Sequence, residues 1–584
     1  MTDRLQTAFA NARGHLLSLR GTDGHWQGEL SSSALSTATA MVALHGVDSI
    51  RHRAMIQAGA RWLASHQNTD GGWGDTTLSQ SNLSTTLLCW SALRLWSGGP
   101  SSDEAGRQAA TASVNLCEAW ITSHVGSLDP AAIQRAVISR YGKDRTFSVP
   151  ILMLCAICGT LGERAWERVL PLPFELAAFP RRWFGMIGLP VVSYALPALI
   201  AIGRTRHQNA PPAWWNPLRW IRAALWPRIS PMLKALQPSS GGYLEATPLT
   251  SFVTMALAAA GEKDHPCIPA AVQFLNRSMR PDGSWPIDTN LATWGTTLSV
   301  KALDEIEPAT VQWLLQQQYQ DVHPFTNAAP GGWAWTDLPG GVPDADDTSG
   351  ALIALRKAGD PAKTAAQSGI TWLLNLQNRD GGVPTFCRGW GTLPFDRSTP
   401  EITAHALLAW WVWQTPALMP WIRKATKKAL ACLQRTQRED GSWSPLWFGN
   451  EQVKGEENPV FGTAAVVNHL SENQALADQA QDLITLGLEF LLKVQKPDGG
   501  FGGDAAAPSS VEETAMAAHA LLGSCGAPHQ EAGMKAVGWL LSATREGTEF
   551  RPAPIGLYFA RLWYHEQLYP VAWTVQAFRR ALRP

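Results

Sequence analysis

The chain has 584 residues, 45% of them hydrophobic, too many for one ordinary core, which sets the expectation of two domains of a few hundred residues. Lys+Arg and Asp+Glu both number 48, so no electrostatic footprint points to nucleic acid or to an acidic partner, and partner choice rests on apolar surface. The outlier is 28 Trp against 17 Phe and 7 Tyr, at a mean hydropathy of -0.10 that is ordinary for a soluble protein.

The N-terminus, MTDRLQTAFANARGHLL, is polar and lacks an apolar signal core. Cys89, Cys117, Cys155, Cys158, Cys267, Cys387, Cys432 and Cys525 show no framework spacing, and the two features together predict a reducing, cytoplasmic setting. A short phrase then begins to recur: an aromatic–Leu pair, often a Gln, an Asp-Gly or Gly-Gly turn, and an aromatic. A loose copy ends at Trp26 and a clear one, RWLASHQNTDGGW, at Trp73. Residues 73–285 hold no clear copy and read as a divergent helical domain inserted into the array. Cys155 and Cys158 have CxxC spacing there, but the apolar run LMLCAICG and the lack of a second ligand pair make them core residues rather than metal ligands. From Trp183 to Gly203 no residue is charged, a length that could span a membrane, yet Pro190 and Pro197 favour a buried helix. The next segment sets Trp214, Trp215, Trp220 and Trp226 among Arg219, Arg222, Arg228 and Lys234. Interfacial Trp with snorkelling cations is the pattern of a helix lying in a headgroup layer; a packed helix with solvated arginines is the alternative.

Further copies end at Trp285, Trp333, Val383, Trp443, Phe501 and, in degenerate form, Phe550, a spacing of about 48–60 residues that fits two helices plus connections. The stretches between are Ala/Leu-rich with helical periodicity, as in TAHALLAWWVW, and strand-type alternation is scarce, so the fold class is all-α. A repeat array is equally a binding solenoid, and chemistry has to decide. After the loop PGGVP, Asp344, Asp346 and Asp347 fall within four positions. Carboxylates this close cannot all ionise cheaply, so at least one holds a proton. A nearby cation is needed to make that carboxyl a strong acid, and His405, in TPEITAHALL on the next repeat, is the candidate. A helix-capping turn or a Ca²⁺ or Mg²⁺ site would use the same carboxylates.

The repeat phrase resembles the QW motif of the squalene–hopene and oxidosqualene cyclases, and Asp344 to Thr348 fits their Asp-x-Asp-Asp-Thr motif, with matching motifs from residue 24 to about 570. The resemblance implies two α/α barrels enclosing a large apolar cavity. Residues 1–20 plus 266–584 would form the discontinuous barrel that carries the acid, with 21–265 as the inserted one. It also implies that Asp346 protonates a terminal alkene, that Asp344 and Asp347 hold its environment, and that His405 raises its acidity. The partner is an apolar polyprenoid such as squalene. The protein is expected to be monotopic on the cytoplasmic side of a membrane, often a homodimer, without metal or other cofactor.

Cyclising a polyene creates carbocations that water would destroy, so the pocket must be dry yet offer negative potential without lone pairs; aromatic faces, Trp best, do this. Carried over one position at a time, Trp335 stands where the family has a cavity Phe in its GGWAF stretch, and Phe386 where it commonly has a Tyr. Trp447 matches a cavity Trp, Trp294 matches another after a two-residue insertion, and Tyr194 replaces a family Trp. Phe550, Tyr558 and Tyr564 fall in the C-terminal aromatic segment. Trp73, Trp285 and Trp443 end repeats and staple the array. Thr37 and Thr39 stand where the family has glutamates, and FGNEQVKGEENP is inserted after Trp447, so product identity does not carry over. The rival readings are a class II cyclase of a prenyl diphosphate or meroterpenoid, and a helical repeat scaffold without chemistry. A protein prenyltransferase subunit would need a zinc set of Asp, Cys and His, and none is found.

Overall fold

The computed structural model describes residues 2–98, 104–142, 145–186, 192–324, 326–557 and 561–583. Among them the secondary structure is helical apart from short two-stranded ribbons, for example Val383–Pro384 against Ser398–Thr399. The helices Ala292–Leu303, Ala345–Leu355, Pro400–Val412, Pro459–Ser471, Val511–Leu521 and Leu568–Ala581 pack each on the next, and the last on the first, closing an inner ring. Their sequences are small or apolar on nearly every face, as a helix surrounded on all sides requires. Outside the ring lie amphipathic partners such as Met419–Thr436, whose Ile422, Ala425, Ala429, Cys432 and Leu433 form one buried stripe while Arg423, Lys424, Lys427 and Lys428 face outward. The N-terminal helix Thr2–Ser18 packs on Leu568–Ala581 as one of these outer partners.

A second ring comprises Ala34–Asp48, Leu83–Ser97, Arg145–Ile157, Val192–Asn209 and Thr247–Ala259. Its core, with Trp62, Trp73, Cys155 and Trp285, is separate from the core of the first ring. Cys155 is fully buried there, and every cysteine is free of a disulfide.

The repeat phrase is the joint between outer and inner helices. In the copy ending at Val383, Gln377 Nε2 donates to Gly381 O (2.8 Å) and to Ala425 O of the next outer helix (2.9 Å). Gln67, Gln318, Gln437 and Gln495 each do the same between their own turn and the next outer helix. The terminal aromatic is tied at both ends: Trp443 donates its indole N–H to Leu433 O (2.9 Å) and its backbone N–H to Thr463 Oγ1 on the following inner helix (2.9 Å). Gly381 sits at φ 95°, where a Cβ would lie 2.3 Å from Lys428 O, so the turn needs glycine. One copy escapes sequence inspection. Gln237 donates to Gly241 O and Cys267 O, and Tyr243 takes the Trp position with its hydroxyl on Leu233 O (2.9 Å) and its N–H on Thr250 Oγ1 (2.9 Å).

Candidate active site

The acid sits where inner-helix starts converge. Asp344 is the N-cap of Ala345–Leu355, its backbone extended and its Oδ1 accepting from Asp347 N (2.8 Å), which satisfies one orphan donor of the helix end. Asp346 falls in the first turn. On the adjacent inner helix, His405 Nδ1 lies 2.6 Å from Asp346 Oδ1. Exposure separates the three carboxyls: the Asp346 side chain is 18% accessible, whereas Asp344 and Asp347 are buried. Burial, with the charge of neighbouring carboxylates, raises the pKa of both Asp344 and Asp347. Burial thus favours the protonated form of these two, beside an accessible carboxyl that contacts an imidazole.

A fourth carboxyl completes the cluster. Glu401 lies one turn before His405, and its Oε1 accepts from Leu446 N (2.8 Å). Burial pushes it up to about 7. It lines the same small cavity as Asp346 and His405. The i, i+4 spacing of Glu401 and His405 in TPEITAH was the signal that could have found it.

Aromatic rings flank this cluster on two sides. Trp294 presents its edge to His405 (6.3 Å between centroids) and stacks on Phe448, from which the contacts continue to Phe461, Trp573 and Tyr569. Tyr569 shares a 3.0 Å hydroxyl contact with Tyr564, and burial raises the pKa of both phenols. A second set runs Trp335–Phe386–Trp447, with rings near perpendicular, and Trp447 Nε1 donates to Thr385 Oγ1 (2.8 Å). Trp335 and Phe386 pack on the core of the second ring, so these rings bridge the two cores. Phe448, Phe461, Tyr569 and Trp573 were not singled out from sequence.

Other expected positions fall elsewhere. Phe550 stacks on His15 of the outer N-terminal helix, because the degenerate repeat copy that it ends packs there. Tyr558 and the side chain of Tyr194 lie outside the described residues. Thr37 and Thr39 donate their hydroxyls to carbonyls of their own helix, and Thr37 also accepts from Trp285 N. The insertion after Trp447 reaches the second ring: Gln80 N donates to Glu451 Oε1 (3.1 Å), and Arg140 pairs with Glu456 (2.9 Å).

On the far surface, Trp214, Trp215 and Trp220 are 69%, 72% and 62% exposed, joined by exposed Leu218 and Ile221 on the helix Pro217–Ala235. Phe179, Trp183 and Met186, just before the next inner helix, are exposed as well. Trp226 departs from the expectation of a surface role: it is buried, edge-on to Phe174 and covered by the Arg204 guanidinium at 4.6 Å. No helix of the described residues is long and apolar enough to cross a membrane.

Comparison with known proteins is consistent across the chain. The squalene–hopene cyclase N-terminal domain family matches residues 9–127 and the squalene–hopene cyclase C-terminal domain family matches 287–548. A probable squalene–hopene cyclase of Sinorhizobium fredii is 24% identical over 98% of this chain and 97% of its own length. Enfumafungin synthase of Hormonema carpetanum is also 24% identical over 93% of this chain, which spans 45% of that longer protein. Drimenyl diphosphate synthase of Streptomyces showdoensis is 28% identical over half of each chain. Among solved structures, ent-copalyl diphosphate synthase from Streptomyces platensis has the same fold over 99% of both chains, with a TM-score of 0.59 at 18% identity.

Proposed function

The chain belongs to the squalene–hopene cyclase family of class II terpene cyclases, and from that premise we propose that it protonates squalene or a related linear polyprenoid and folds it into fused rings. The observation that carries the reading is the 2.6 Å pairing of the accessible Asp346 with His405, between two carboxyls whose pKa burial raises. Asp346 gives its proton to the terminal C=C, forming a C–H bond and leaving a tertiary cation; His405 stabilises the carboxylate left behind. Neighbouring double bonds then attack the cation in turn. Trp294, Trp335, Phe386, Trp447, Phe448 and Tyr564 offer π faces to the migrating charge, each worth about 2 kcal/mol or more when desolvated. Loss of a proton, or capture by water, ends the cascade.

An insoluble substrate needs a route from lipid. The exposed Trp214, Trp215, Trp220, Trp183, Phe179 and Met186 form the membrane-docking face of this reading, with Arg219 and Arg228 beside it for headgroups. A second substrate class, a prenyl diphosphate, is favoured by the likeness to drimenyl diphosphate synthase. Incubation of detergent-solubilised protein with squalene in EDTA, and with farnesyl diphosphate in Mg²⁺, separates the two. A cyclic hydrocarbon or alcohol from squalene supports the first reading. Product from the diphosphate alone moves the assignment to the second.

A further inference from the structure

The interior of a closed ring of helices is ordinarily apolar, but this one carries polar side chains from the acid toward the opposite end. Behind His405 lies His469, its ring stacked at 4.3 Å and 12°. Lys301 Nζ pairs with Glu472 Oε1 at 3.1 Å, His519 Nε2 lies 4.0 Å from the same oxygen, and Gln576 Nε2 is 3.3 Å from His519 Nε2. Lys301 is seven residues further along its helix than Trp294, about 10 Å deeper into the barrel. A cavity of about 50 Å³, walled also by Trp294, Phe448, Phe461 and Trp573, joins Asp346 and His405 to Lys301, His469 and Gln576. That is room for a few waters and too little for a polyprenoid. Among the described residues, buried His469 Nδ1 and His519 Nδ1 have no hydrogen-bond partner, the situation that internal water resolves. Glu472, at the end of Pro459–Ser471, is partly open to solvent.

Resting on the cyclase reading, we propose that His469, with Lys301, Glu472 and His519 behind it, forms a proton-return path that recharges Asp346 from the Glu472 end of the barrel. Each turnover leaves Asp346 as a carboxylate, and a substrate pocket dry enough to protect a carbocation cannot resupply it. Burial and the surrounding positive groups keep His469 neutral, with one N–H and one lone pair. It thus accepts a proton from the Glu472 side through water and releases its other proton through water toward His405. His405 passes one to Asp346 Oδ1 from Nδ1 and takes one up on its other nitrogen, so each imidazole keeps its proton count but changes tautomer, and proton exchange through water restores the starting tautomer before the next turnover. The proton lost from the cyclised cation balances the one taken from solvent. Lys301 is a positioning residue that fixes Glu472.

The test compares single-turnover product formation, with enzyme in excess over the accepted polyprenoid, to steady-state turnover. His469→Phe keeps the stacked ring and removes the relay. The expected result is a single-turnover rate within about twofold of wild type, a steady-state rate at least tenfold lower, and a burst of about one product per enzyme, with Glu472→Gln behaving alike if His469→Phe does not fold. Unchanged steady-state turnover, or single-turnover and steady-state rates falling together, overturns the path. Absence of product from the wild-type protein overturns the cyclase reading instead.

Discussion

At the scale of single residues, the acid is a matter of unequal environments. Asp344, Asp346 and Asp347 are the same side chain, yet two are sealed, with burial raising their pKa, while the third is accessible and paired with His405. Asp346→Asn is therefore expected to lower turnover at least 1000-fold with little change in thermal midpoint, and His405→Phe to lower it about 100-fold, the usual range for a proton-transfer group and its support; product analysis beside thermal unfolding checks both. The contiguous Asp cluster and His405 were legible because a motif survives in the linear sequence. Phe448, Phe461, Tyr569 and Trp573 were not, since they meet only when the fold brings the helix Pro459–Ser471 and the last inner helix together across the ring. Trp226 misled for a geometric reason: six residues beyond Trp220 it is rotated by about 240° on the helix, onto the face packed against Phe174.

At the scale of elements, the repeat is a set of hydrogen bonds more than a set of Trp residues. Gln377 satisfies one carbonyl of its own turn and one of the next outer helix, and Thr348, one residue past Asp347, accepts the N–H of Trp333 at 2.9 Å. The acid motif is thus stapled to the repeat that precedes it. Thr348→Val strands a buried N–H at a cost of about 1–3 kcal/mol and is expected to lower the thermal midpoint by a few degrees, measured by calorimetry. The all-α class and the helix-pair period were readable from spacing and composition. The copy at Gln237–Tyr243 was not, because Tyr replaces Trp and Ser-Gly-Gly replaces Asp-Gly, although the hydrogen bonds are conserved in kind.

At the scale of the whole molecule, two rings of helices are joined by aromatic contacts and by the inserted loop carrying Glu451 and Glu456. Burial raises several carboxyls of the molecule: Glu401 and Glu566 are pushed up to about 7, Glu512 and Glu451 to about 8. A carboxyl whose folded pKa is raised contributes stability that is complete below its unfolded value and is lost as pH rises through the folded one. His519, His207 and His565, held near 4 chiefly by burial, act oppositely but have contributed fully once pH exceeds about 6.5. The thermal midpoint is accordingly expected to fall between pH 6.5 and 8. A rise across that interval in a melting series would contradict the assignment. Replacing Trp214, Trp215 and Trp220 together by Ala is expected to at least halve co-flotation with phospholipid vesicles while leaving the midpoint unchanged, since these rings touch solvent rather than core.

The central claim, that Asp346 starts the reaction by giving a proton to carbon, is tested most directly by running the cyclisation of squalene in D₂O and weighing the product by mass spectrometry. The account predicts one non-exchangeable deuterium fixed on the first ring of every product molecule, and no product from Asp346→Asn. A cyclic product without that deuterium, or one formed undiminished by the variant, would contradict it.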